Sequence, residues 1–199
     1  MRRTAEEAAQ TRAALLDAAL FLFAEHGVAS TKLAEVAQRA GLTRGAVYHH
    51  FADKTDLYAA VMADSWETTT APVWAILDTD APLEERLSRF LVTWLRRLVE
   101  DDRFRALLTV SMNASYSPDD PDGQAAKARG LGEWGERLET ALSRGGPGAR
   151  LKEALSPAEA AGHLLAWLCG TALLAATDPA LLPPGTADGV SCVLGGILT

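Results

Sequence analysis

The 199-residue chain is predicted to be all-α, on three observations. Apolar residues recur three and four positions apart over long stretches, the spacing of one stripe along a helix. Helix start and stop residues stand at the borders of these stretches: Ser156-Pro157-Ala158-Glu159 ahead of one, Gly27 and Gly41 behind two others. No run alternates apolar and polar residues as a strand would, and no internal repeat of useful period occurs.

The first helix is expected from about Ala5 to His26, where Leu15, Ala18, Ala19, Leu22 and Phe23 form the stripe and Gly27 ends it. Arg2 and Arg3 precede it, either as a solvated tail or as a basic arm. Leu33, Val36, Ala37 and Ala40 mark a short second helix. Thr31 is placed to cap its start, Gly41 can take the left-handed conformation that stops it, and Leu42 returns the chain to the core. Thr43 offers a hydroxyl to the free amides of a third helix, Arg44 to Phe51, on which Val47 and Phe51 fall four apart and anchor it inward. Two short helices flanking a tight turn are the helix-turn-helix plan, although a small hairpin inside any helical protein has the same spacing. In the helix-turn-helix reading, Thr43, Arg44, Gly45, Tyr48 and His49 face outward. Arg44 can reach guanine or phosphate, hydroxyls can reach phosphate, and Gly45 and Ala46 permit close approach of a duplex.

Asp53 and Asp56 form an acidic capping box around Lys54, opening a helix that runs through Leu57, Tyr58, Val61, Met62 and Trp66 until Pro72 kinks or ends it. Residues 78–82 read as a loop. Leu83 to Glu100 is a long amphipathic helix with Leu87, Phe90, Leu91, Trp94, Leu95 and Leu98 on one side. A helix from Arg103 to Tyr116, a loop over residues 117–123 and a glycine-weakened helix from Gln124 to Ser143 follow, closed by GGPG. The helix that Ser156 caps runs to about Ala176 and is apolar nearly all round, so it needs burial on more than one side. After DPALLPPG, Ala187 to Leu198 gives a last apolar helix with Val190, Val193, Leu194 and Ile197.

The net charge of -7 is unevenly spread: residues 1–60 carry seven Lys or Arg against seven Asp or Glu, and residues 61–199 carry twelve against nineteen. A nucleic-acid surface in the first part therefore requires Arg12, Lys32, Arg39, Arg44 and Lys54 to share one side. Cys169 and Cys192 lack metal-type spacing and read as buried thiols in a reducing compartment. The N-terminus lacks the apolar run of a signal peptide, and no segment reaches the ~18 uninterrupted apolar residues of a membrane span, so no membrane partner is expected. The four histidines have no His or Cys at ligand spacing, and there is no phosphate-cradling Gly loop with Lys, nucleophile elbow or dinucleotide fingerprint. No enzyme, no metal and no cofactor is expected. An apolar chamber with polar handles is more plausible: Trp66, Trp94, Met112, Asn113, Tyr116, Trp134, His163 and Trp167 are the candidate ligand-binding residues, with Trp74 among the aromatics nearby. Most residues of these types are ordinary core.

Residues 11–62, with FAEHG, EVAQRAG, TRGAVYHHF and DKTDL, resemble the N-terminal domain of the TetR family of bacterial transcriptional regulators, and most of all its AcrR-like branch. The resemblance implies a three-helix DNA-binding head over residues 1–53, followed by a larger helical ligand-sensing and dimerisation domain over residues 54–199. In that plan the helix of residues 54–71 is the connecting lever. It adds Tyr48, His49 and Lys54 as phosphate contacts, completing the candidate DNA-binding set of Thr31, Lys32, Thr43, Arg44, Gly45, Ala46, Tyr48, His49 and Lys54. The implied function is a cytoplasmic repressor that binds a near-palindromic DNA operator as a homodimer and is released by a largely apolar small-molecule inducer. The implied dimer forms through the two C-terminal helices; intramolecular core is the other use for them. The alternative function is a helical small-molecule binding protein that no longer reads DNA.

Overall fold

Helix α1 (Ala5–His26) stops where Gly27 takes φ +78°, a backbone region open to glycine at little cost. The structure, a computed structural model, describes residues 5–113, 121–146, 148, 150–183, 185 and 187–199. Helix α2 (Leu33–Arg39) ends in a Schellman turn: Leu42 N donates to Ala37 O at 2.9 Å, Gly41 N donates to Gln38 O at 3.0 Å, and Gly41 has φ +68°. Thr43 then caps α3 (Arg44–His50), its hydroxyl accepting from Ala46 N at 3.3 Å. Asp53 caps α4 (Lys54–Ser65) by accepting from Asp56 N, while the Asp56 carboxylate accepts from Ala52 N, both at 2.9 Å.

The chain divides into two compact units, Met1–Thr69 and Thr70–Thr199. In the first, α1 packs on α2, α3 and α4, and Leu15, Leu20, Val36, Val47, Leu57 and Val61 are wholly enclosed. Each such aliphatic side chain contributes about 1.5–3 kcal/mol of burial. Because α4 packs on α1, the division falls later than the expected 53/54 boundary and leaves the whole of α4 with the first unit. Thr31 does not cap α2. Its buried hydroxyl donates to Gly27 O at 2.9 Å, closing the α1–α2 turn, and Glu35 instead reaches back to the Lys32 amide at 3.1 Å. On the surface Arg39 grips Glu25 with both guanidinium arms, at 2.5 and 2.8 Å, fastening α2 to the end of α1.

The α-helix opened by Lys54 ends before Pro72 rather than at it. The helical path passes into a π-helical turn at Trp66–Thr70 and resumes as α5 (Ala71–Trp74) with Pro72 in its first turn, where a missing N–H is harmless. A 3-10 turn, Ala75–Asp78, follows.

In the second unit α6 (Leu83–Glu100) and α7 (Asp102–Asn113) break at Asp101, whose carboxylate accepts from Phe104 N at 3.0 Å and pairs with Arg97 at 2.9 Å. Helix α8 is Pro121–Arg144, so Pro121 to Gly123 belong to a helix rather than to the expected loop; residues 117–120 lie outside the described residues. Helix α9 (Pro157–Thr177) starts with the expected box: Ser156 Oγ accepts from Glu159 N at 3.2 Å, and Glu159 accepts from Ser156 N at 2.9 Å. By length and composition alone α9 is apolar enough to cross a membrane, and 39% of its apolar 18-residue window is buried within the protein. It packs on α7 and α8, as an all-round apolar helix should. A 3-10 turn at Pro179–Leu181 precedes α10 (Ala187–Leu194). Helix α10 is shorter than expected: past Gly195 and Gly196 the chain leaves the helix, and Lys152 N donates to Ile197 O at 3.0 Å and Thr199 N to Arg150 O at 2.9 Å. Among the described residues there is no strand beyond the single bridge of Leu151 with Leu198.

Aromatic rings fill the centre of this unit. Trp94, wholly enclosed, meets Phe104 at 5.3 Å and Trp134 at 5.6 Å edge-on, and its indole N–H donates to the Thr171 hydroxyl at 3.0 Å. Arg86, 2% exposed, donates to Leu77 O at 2.8 Å and Gly145 O at 2.5 Å, so carbonyl dipoles bear its charge and tie the 3-10 turn to the end of α8.

Two outcomes follow for the first unit. Gly41→Ala forces a Cβ into a left-handed residue and should lower stability by about 1–2 kcal/mol in urea unfolding. The Arg39 hydrogen bond holds the Glu25 carboxyl below its usual range, so the pair stabilises above the unfolded-state pKa and is lost as pH falls through the lowered folded value. Both partners are well exposed, so Glu25→Gln should cost no more than ~1 kcal/mol at neutral pH, and the difference should vanish in acid.

Candidate nucleic-acid interface

Only seven residues long, α3 is anchored from one side: Val47 and, just beyond its end, Phe51 are buried. The same helical geometry leaves Arg44, Gly45, Tyr48 and His49 exposed, with Thr43 exposed at the cap and Ala46 half-buried. Tyr48 is 50% exposed, far more than a core aromatic. Its hydroxyl accepts from Arg44 Nη2 at 3.3 Å, and the guanidinium carbon lies 5.5 Å from the ring centroid. A cation, a phenol and an imidazole thus stand on one short helix, with a glycine where no side chain obstructs approach. Arg44 can donate two parallel bonds to a guanine edge, while Tyr48 and His49 offer single donors of phosphate-binding type. Lys32 is exposed ahead of α2, and Arg12 lies over the Phe51 ring at 5.4 Å.

Three residues expected at the DNA-binding surface have other duties. Thr31 is 2% exposed and its hydroxyl is used by the α1–α2 turn, so that side chain is not available to a duplex. Lys54 Nζ donates to Ala29 O at 2.6 Å and Thr31 O at 3.3 Å, latching the start of α4 to the same turn. Its ammonium retains one further proton for a phosphate. Arg39 is neutralised by Glu25. Sequence spacing contains no sign of Glu25, because the pair spans 14 positions and two helices.

The candidate ligand-binding residues that are described have different surroundings. Trp94 and Trp134 pack together inside the second unit, whereas His163 is exposed on α9 and Met112 and Trp167 are half-buried. Trp66 lies in the π-turn of the first unit. Asn113 ends α7, and Tyr116 lies outside the described residues. Thr171, the buried partner of Trp94, was not anticipated; a threonine four positions from Trp167 in an apolar helix was the available signal. The cysteines differ in the same way: burial raises the Cys169 thiol, which keeps it protonated, whereas Cys192 is exposed and not buried as expected.

Comparison with known proteins fits this geometry. Residues 15–61 match the family model described as bacterial regulatory proteins, tetR family. The chain is 39% identical over 115 residues to the HTH-type transcriptional regulator AcrR of Shigella flexneri, an alignment covering 55% of this chain and 51% of that protein. It is 38% identical over 109 residues to the uncharacterized HTH-type transcriptional regulator TtgW of Pseudomonas putida, covering 46% of this chain and 79% of that protein. With the P. putida regulator TtgR the alignment spans 32% of the relative, so the chain covers about half of the AcrR relative and a third of this one. Solved structures match over nearly the whole chain. SmeT in its triclosan complex superposes with TM-score 0.75 at 29% identity, covering 96% of this chain and 92% of that one. NalD of Pseudomonas aeruginosa, the secondary repressor of the MexAB-OprM multidrug efflux pump, gives 0.74 at 26%, covering 97% and 98%. An exposed, internally braced recognition helix, a matching family model and likeness to a relative covered over most of its length together place this chain in the TetR family of bacterial regulatory proteins.

Proposed function

We propose that the protein is a transcriptional repressor that binds a near-palindromic operator as a homodimer and is released by a small molecule. The observation that carries this reading is the two-sided character of α3: Val47 buried against the unit, Arg44, Gly45, Tyr48 and His49 turned to solvent. Two such helices in a symmetric dimer enter successive major grooves about 34–36 Å apart. In this reading α4 and its π-turn act as the lever through which a ligand in the second unit changes that separation. Moving such a balance from 1:99 to 99:1 takes about 5.5 kcal/mol of differential affinity, so the inducer must bury much of its surface. The SmeT–triclosan complex supports a small, largely apolar inducer. A cytoplasmic location goes with binding to DNA.

Homodimerisation through α9 and α10 is supported by the outer side of α9, where Gly162, Ala166, Gly170 and Leu173 are exposed at helical spacing. Small residues there allow a second helix to approach, and Leu173, 55% exposed, supplies the apolar contact. Leu194 on α10 is 4% exposed and belongs to the unit's own core, so it does not report on the dimer.

Fluorescence anisotropy against the DNA upstream of its own gene tests the main reading; no saturable binding by a folded dimer favours the alternative, a small-molecule binder that does not read DNA. Arg44→Ala should relax preference at one operator position by about 1–3 kcal/mol. Lys32→Ala should instead weaken all sequences alike and reduce the salt slope by about one. For the dimer, sedimentation of Leu173→Asp should show a folded monomer, and an unchanged dimer would reject the α9 interface.

A further inference from the structure

In the second unit, the end of α5, the 3-10 turn and α8 line an open cleft of about 420 Å³, within the range of small-molecule sites. Its lining has two characters. Trp74 and Leu77 supply the apolar surface, and Asp78, Glu133 and Glu136 supply three carboxylates against the single cation Arg137. Arg137 sits over the Trp74 ring, 5.1 Å from its centroid, and 3.7 Å from Asp78, which also has Arg144 at 3.7 Å. Both pairs are too long for a charge-assisted hydrogen bond, so the latch over Trp74 is loose. Trp74 is 1% exposed, and its buried indole N–H has no acceptor among the described residues. An indole N–H buried without a partner is costly in a finished core and calls for an oxygen. The other two contacts of the ring, Phe90 at 5.1 Å and Trp134 at 5.4 Å, are fixed core packing.

We propose that this cleft binds an organic monocation carrying an aromatic body and an ether or carbonyl oxygen, and that the ligand enters by displacing Arg137 from Trp74. The protein's own guanidinium marks where the ligand's cation goes: over the indole face and beside Asp78, with Glu133 and Glu136 adding favourable charge. The Arg137 side chain is half exposed and can swing to solvent at small cost. The ligand's oxygen then accepts from the Trp74 N–H. This site lies at the margin of the interior aromatic cluster, and binding to it is measured without DNA, so its failure leaves the repressor reading untouched.

Isothermal titration of the full-length protein with choline phenyl ether, which carries a quaternary ammonium, an ether oxygen and a phenyl ring, tests the proposal. Its uncharged carbon isostere, 3,3-dimethylbutyl phenyl ether, should bind roughly tenfold more weakly. The surface variant Glu133→Gln/Glu136→Gln should weaken the cation about fivefold, with circular dichroism unchanged. Arg137→Ala should tighten it about two- to fivefold, because the face of Trp74 is then already open. That last sign separates a latch from a structural arginine, whose removal leaves binding unchanged or weaker. No heat up to about 1 mM cation, equal binding of the isostere, or loss of affinity in Arg137→Ala would each overturn the proposal.

Discussion

A helix of two turns cannot hold itself together in water, because nucleation costs more than so few backbone bonds return. The seven residues of α3 therefore exist as a helix only because Val47 and Phe51 are buried and because Thr43 and the Gly41 turn fix its entry. This constraint governs the first unit. All the anchoring is concentrated on one side and at the ends, so the outward residues Arg44, Gly45, Tyr48 and His49 carry almost no structural duty. They are free to be chosen for what they touch. The longer α1 and the buried side chains of α2 and α4 serve as the rigid support that such a short reading element requires.

The arginines and lysines show how surroundings decide a side chain's work. Arg44 stands exposed with Tyr48 beside it, whereas Arg39 is held by a carboxylate and Arg86 is enclosed, its two terminal nitrogens donating to carbonyls. Lys54 divides its ammonium between the α1–α2 turn and solvent. Formal charge over the first sixty residues is zero, yet local pairing removes some cations from the surface and leaves others. Net charge by segment is thus a poor guide to a binding face; what remains unpaired on that face is the relevant quantity.

In the second unit the large aromatic side chains define both a core and its edge. Phe90, Trp94, Phe104 and Trp134 pack ring to ring, and Thr171 satisfies the indole N–H of Trp94. Trp74 lies at the margin of that cluster, where Arg137 covers it and the carboxylates of α8 begin. Two tryptophans of the same cluster therefore meet opposite fates, one satisfied by a threonine and the other left with an unmatched donor.

Every long helix was legible in the amino-acid sequence, as were the Gly27 and Gly41 stops, the Thr43 and Ser156 caps and the inward and outward sides of α3. Each depends on residues within about four positions of one another, the range over which helical periodicity and capping act. The ends of α8 and α10 were misread because a proline inside a helix's first turn resembles a loop, and because a backbone pairing with residues 150–152 ends the last helix. Tertiary structure alone decided that Thr31 faces inward, that Arg39 belongs to Glu25, that Arg86 bridges Leu77 and Gly145, and that Trp94 answers to Thr171. These partners lie up to 77 positions apart, and long side chains choose among neighbours that only the packed helices bring within reach.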